Sequence, residues 1–135
     1  ESNDYLIRST SKKILDTEKN NIGFYGITFK QNTDDLRESP FIKTIKHLLR
    51  HNKKIFIYDD DIIPANLNGL NKKLYSELIV MPGVFFLTEL KYFFSSIDIL
   101  INTKENIEKI INYSELKDLR VFDLSVGRNN EKIGC

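Results

Sequence analysis

Apolar positions along the chain fall into short blocks whose period switches between that of a strand and that of a helix. Over 3–17, Tyr5, Leu6, Ile14 and Leu15 stand among Arg and Lys at loose helical spacing, which predicts an amphipathic helix leading into the domain. Residues 21–28 (NIGFYGIT) are short, apolar and aromatic, as a buried strand should be, with Gly23 and Gly26 allowing close approach of other backbone. Ser39-Pro40 then reads as a helix start, Ser as the cap and Pro at the first helical position. Phe41, Ile42, Ile45, Leu48 and Leu49 continue at helical spacing as far as Arg50. A second strand is predicted at 54–58 (KIFIY), a polar helix at 68–78, a strand at 84–87 and a helix at 88–95 capped by Thr88. A strand at 98–102, a helix at 106–113 and a last strand at 120–124 complete the series. This alternation predicts an α/β fold: a doubly wound, mainly parallel open sheet with helices on both faces, preceded by the N-terminal helix. In such sheets ligands collect beyond the carboxyl ends of the strands, so the loops after Ile27, Tyr58, Ile101 and Leu124 are the places to look.

Composition narrows the function classes. At 135 residues and 41% hydrophobic the chain holds one ordinary core. Twenty basic and nineteen acidic residues leave a net charge of +1 without a long block of either sign, so nothing points to nucleic acid. No apolar run is long enough to span a bilayer, and the polar start at Glu1 is unlike a signal segment, so the expectation is a cytoplasmic protein without membrane contact. The single Cys135 excludes an internal disulfide and a cysteine metal cluster. A chain that starts inside a helical pattern without Met suggests a piece of a longer polypeptide, with 1–18 continuing from an upstream domain and 19–135 forming the domain proper.

The segment from Gly26 to Pro40 (GITFKQNTDDLRESP) joins a strand exit to a helix N-terminus. Lys30 offers an ammonium, Arg37 a forked guanidinium, and the Ser39 end of the helix its unbonded N–H groups, which together suit an anion. Asp34 and Asp35 are taken as caps and turn-formers. On residue types alone, Lys30 and Arg37 read more readily as solvated loop cations.

Phe29, Lys30, Thr33, Asp35, Arg37 and Ser39 resemble the F-K-x-x-T-x-D-x-R-x-S segment of the UDP-glucose/GDP-mannose dehydrogenase family. The resemblance extends through the following helix, the Ile57-Tyr58-Asp59 strand end and the 98–102 strand. It implies the Rossmann-like, sugar-nucleotide-binding C-terminal domain of an NAD-dependent nucleotide-sugar 6-dehydrogenase serving polysaccharide precursor synthesis. Carried over, Phe29 and Lys30 would contact the sugar nucleotide and Arg37 would reach NAD, which is otherwise held by an N-terminal domain. Arg128 follows Asp123 at the position of a substrate-binding Asp-Gly-Arg of UDP-glucose enzymes, but Leu124-Ser125-Val126-Gly127 intervenes, so a substrate contact and a surface cation both stay open. Asp60 in place of Pro after Asp59, and the Gly-x-Asn of Gly69-Leu70-Asn71, resemble the GDP-mannose branch, with a UDP-glucose or UDP-N-acetylhexosamine enzyme as the alternative. The family oxidises a sugar C6 alcohol to a carboxylate with two NAD⁺ through a thioester on an upstream cysteine, a role Cys135 does not inherit. No catalytic residue is therefore expected within 1–135; the implied partners are the nucleotide sugar (GDP-mannose or a UDP-sugar), the N-terminal and central domains, and a second copy in a homodimer.

Other features read as structural. Gly23 and Gly26 form G-x-x-G without the third glycine of a dinucleotide fingerprint. The acids 59–61 read as a solvated turn rather than a Mg²⁺ site, and His47 with His51 has metal-binding spacing on a helix face but no third ligand, so no metal is expected. Tyr25, Tyr58, Phe85, Phe86, Tyr92, Phe93 and Phe94 read as packing. Two rivals remain from other classes: a receiver-like module with Mg²⁺ at 59–61, and an assembly module whose N-terminal helix has its partner elsewhere.

Overall fold

In the computed structural model of the chain, which describes residues 2–28 (side chains from 8 on), 35–37, 39–104 and 119–124, five strands make one parallel sheet in the order β3-β2-β1-β4-β5. They are β1 (Asn21–Tyr25), β2 (Lys54–Tyr58), β3 (Val84–Phe86), β4 (Ile99–Asn102) and β5 (Arg120–Asp123). Among the described residues the α-helices are α1 (Ser2–Asp16), which precedes the sheet, and α2 (Pro40–Arg50), α3 (Gly69–Ile79) and α4 (Leu90–Ser96), which connect its strands. The helix expected at 106–113 lies outside the described residues. The order reverses at β1, which pairs with β2 on one side and with β4 on the other.

Period-two alternation sends the side chains of the three central strands to two cores. Ile22, Phe24, Ile55, Ile57, Ile99 and Ile101 meet Ile14 of α1, Phe41, Ile45 and Leu48 of α2 and Leu78 of α3 on one face. Tyr25, Leu100, Phe56 and Tyr58 meet Phe93 and Phe94 of α4, and Ile97 just after it, on the other. The aromatics pack as expected, with Tyr25 stacked on Tyr58 at 5.6 Å between ring centres and Phe93 beneath both, although Tyr92 and Phe85 keep exposed rings. Gly23 lies under α4, where an added Cβ would stand 2.6 Å from Cδ1 of Ile97. The close approach expected at this glycine is thus made by side chains, not by backbone.

Most elements fall where the pattern places them, and the differences have local causes. The first strand ends at Tyr25 and not at 28 because Gly26 turns at φ +97, after which the Ile27 N–H leaves the ladder for the Asp59 carboxylate at 2.9 Å. Thr88 does not cap α4. The N-cap is Glu89, which makes no side-chain cap bond, and its carbonyl accepts the first helical bond from the Phe93 N–H at 3.0 Å. Asp98 stays outside β4 because its carboxylate accepts from both the backbone and the side-chain amide of Asn21.

Candidate functional site

The strand order reverses between β1 and β4, so the crevice of this sheet opens beyond Tyr25 and Asn102. Ile27 stands at its lip with its peptide held from both sides. Its N–H donates to Oδ2 of Asp59, and its carbonyl accepts from the Ser39 hydroxyl at 2.5 Å. The same Ser39 oxygen accepts from the Phe41 N–H at 3.2 Å, capping α2 as the Ser-Pro pair predicts. One serine therefore ties both stems of the 28–38 segment to the helix N-terminus. Phe29, Lys30 and Asp34 lie outside the described residues, and so does Arg128.

Arg37 is described and half exposed, and it pairs with Asp35 through two parallel bonds, Nε to Oδ1 at 2.9 Å and an Nη to Oδ2 at 2.8 Å. The Arg37 backbone N–H adds a third bond to Oδ1. The guanidinium bonds first, and that N–H second, hold the Asp35 carboxyl far below the usual carboxylate range. Asp35 is thus the turn-former anticipated. Asn71, the last residue of the Gly-x-Asn group, reaches from α3 to the same turn and accepts from the Leu36 N–H at 2.9 Å.

The acids at 59–61 depart from the solvated turn expected of them. Asp59 is buried, because its carboxylate replaces a missing ladder partner for Ile27 and accepts from the Asp61 N–H at 3.0 Å as well. Both Asp59 and Asp61 hold the Lys104 ammonium, at 2.9 and 2.5 Å. Lys104 is nearly as buried, and its stem crosses Gly26, where an added Cβ would overlap Oγ1 of Thr103 and stand 2.7 Å from Cε of Lys104. Burial alone would lower the Lys104 pKa, but the charges of Asp59 and Asp61 outweigh it and the net shift is upward. The ammonium occupies the point toward which the carboxylates converge. Asn102 completes the cluster: its amide donates to the Lys104 carbonyl and to Asp123, while its oxygen accepts from the Lys104 N–H.

Asn102 and Lys104 were not among the sequence-predicted site residues. Their signal was available, since Asn-Thr-Lys directly follows an all-apolar strand at a loop already marked by the strand-end rule. His47 and His51 lie side by side, ring centres 4.7 Å apart, and His51 Nδ1 is 3.1 Å from the His47 carbonyl. His47 lines a groove with Arg8, Ser11 and Leu15 of α1.

Comparison with known proteins bears on the whole arrangement. The UDP-glucose/GDP-mannose dehydrogenase family, UDP binding domain, matches residues 23–124. The GDP-mannose 6-dehydrogenase of Pseudomonas putida is 27% identical over 100 residues, covering 74% of this chain and 23% of the relative. The UDP-glucose 6-dehydrogenase of Rickettsia felis is 30% identical over 116 residues, covering 85% and 24%. The crystal structure of a ternary complex of GDP-mannose dehydrogenase from Pseudomonas aeruginosa superposes with a TM-score of 0.74 at 26% identity, over 91% of this chain and 28% of that one. The chain thus spans about a quarter of the length of the relatives it matches. With the motif of the 29–39 segment, the reversed parallel sheet and the family match all falling on the same residues, the chain belongs to the UDP-glucose/GDP-mannose dehydrogenase family and carries its C-terminal, UDP-binding domain.

Proposed function

We infer that this domain holds the nucleotide end of a GDP-mannose-type sugar nucleotide for oxidation at C6 by an NAD-dependent dehydrogenase. The observation that carries the reading is the geometry at the strand-order reversal, where Asp59 and Ser39 pin Ile27, two residues before Phe29 and three before Lys30 in the sequence. Fixed stems on either side of a cationic motif lower the entropy lost when a diphosphate binds there. Lys30 is assigned to the sugar nucleotide near its phosphates, Phe29 to the lining of that pocket, and Arg128 is carried as a candidate substrate contact. The bond from the Leu36 N–H to Asn71 favours the GDP-mannose branch, because it gives the Gly-x-Asn residues a specific task in shaping that segment. The 30% identity to the Rickettsia felis relative keeps a UDP-glucose substrate as the second reading.

NAD supplies the hydride acceptor when bound, and among the described residues Arg37 is the candidate to meet it. Paired with Asp35, its guanidinium is still more than half exposed, so a phosphate can approach it from solvent. Most of NAD, the catalytic cysteine and the homodimer contacts are assigned to the N-terminal and central domains of the full-length protein, which we place in the cytoplasm in a polysaccharide precursor route. The test is Lys30→Ala in the full-length protein, assayed with GDP-mannose and UDP-glucose. Loss of one charge-assisted phosphate contact, about 1.5–3 kcal/mol, should lower kcat/KM for the true substrate by roughly 10- to 150-fold. Unchanged kinetics with both substrates would remove Lys30 from the site.

A further inference from the structure

We propose that Lys104 is a positioning residue for the substrate-binding segment, acting through Asp59 on the peptide of Ile27. The inference deepens the proposed function and rests on it for the identity of the ligand, a nucleoside diphosphate sugar. Three observations converge. The Lys104 ammonium bridges Asp59 and Asp61 while its stem lies over Gly26, so this one side chain links the end of β4 to the end of β2 across the exit of β1. Asp59 divides its oxygens between tasks: Oδ1 takes Lys104 and the Asp61 N–H, and Oδ2 takes the Ile27 N–H. The backbone of Lys104 is itself clamped by the buried Asn102 amide, which bonds both its N–H and its carbonyl.

A buried carboxylate without its counter-charge would turn toward water or take up a proton, and in either case Ile27 would lose a charged acceptor. The consequence falls two residues from Phe29 and three from Lys30. Lys104 need not touch the substrate. Its ammonium is neutralised by two carboxylates, with Asp60 adding a third negative charge nearby, so Lys104 offers no net positive charge to a diphosphate.

The experiment compares wild type, Lys104→Met and Lys104→Arg in the full-length protein, with two readouts. The first is backbone hydrogen exchange of a peptide spanning 26–41 in the ligand-free protein, against one spanning 54–58 as internal reference. The second is affinity for GDP-mannose and UDP-glucose, against affinity for NAD. We expect Lys104→Met to speed exchange over 26–41 by about tenfold relative to the reference, and to weaken nucleotide-sugar binding by about tenfold, with a smaller loss of NAD affinity because Arg37 is its one contact on that segment. Lys104→Arg, which keeps the charge, should restore most of both. If Lys104→Met does not fold, Asp61→Asn removes only the outer partner and should move both readouts in the same direction by a few fold. A variant that melts earlier yet exchanges and binds like wild type overturns the inference. If the wild type binds neither sugar nucleotide while Lys104→Met still loosens 26–41, the positioning stands and the proposed function falls.

Discussion

Substituting Gly26 by Ala tests the packing of the crevice lip most directly. The residue turns at φ +97, where a side chain strains the backbone by roughly 1–2 kcal/mol. The new Cβ would also displace the Thr103 hydroxyl, which donates to the buried Tyr25 carbonyl at 3.1 Å, and press on the Lys104 stem. Loss of that bond adds about 1 kcal/mol, and a shifted Lys104 adds to it, for a total of about 2–4 kcal/mol. Gly69 supplies the control. It also has positive φ, at +58, but an added Cβ there meets nothing within 4 Å, so Gly69→Ala carries the strain alone. In urea unfolding followed by far-UV circular dichroism, Gly26→Ala should lower the midpoint by about 1–2 M and Gly69→Ala by roughly half as much. Equal shifts for the two variants would refute the crowding argument, and an unshifted Gly26→Ala would refute the strain argument too.

Two further outcomes are expected. Ser39→Ala removes the α2 cap and the hydroxyl bond to Ile27 together, at a cost of about 2–3 kcal/mol seen as a lower urea midpoint, whereas Ser39→Thr should recover most of it. Burial first, and then the negative charge of Asp60, raise the Tyr25 pKa from 10.0 to about 12. The folded state therefore holds this phenolic proton more tightly than the unfolded chain, and its stabilisation is complete below pH 10 and declines as pH rises toward 12. About 2 kcal/mol should be gone by pH ~11.5, with Tyr25→Phe recovering that part and the remaining alkaline loss including Lys104, whose folded pKa is also raised. A midpoint independent of pH over that range in wild type would contradict the burial of Tyr25.

The order of elements was legible because local rules and tertiary packing agree over most of the chain. Ser39-Pro40 starts α2 where capping chemistry says it should, and KIFIY is a strand because both sheet faces offer it apolar partners. The acidic turn was misread for a physical reason: three adjacent carboxylates are solvated unless a cation arrives from elsewhere. Here it arrives from Lys104, forty-three residues beyond Asp61, and no local pattern encodes that pairing. Thr88 was credited with a cap on residue type alone, whereas the chain is still extended at Glu89. The motif on 29–39 pointed to the family that the match over 23–124 shows.

The position of β1 in the sheet also bears on how the chain is made. One of its edges is completed by β2, but the other needs β4, with Asn21 and Asp98 separated by 77 residues. At ribosomal speeds of about 5–20 residues per second, that edge stays bare for roughly 4–15 s after β1 emerges. During that interval the nascent half exposes a hydrophobic strand edge to any neighbouring chain, and this is the stage at which a holding chaperone would raise the yield of native protein.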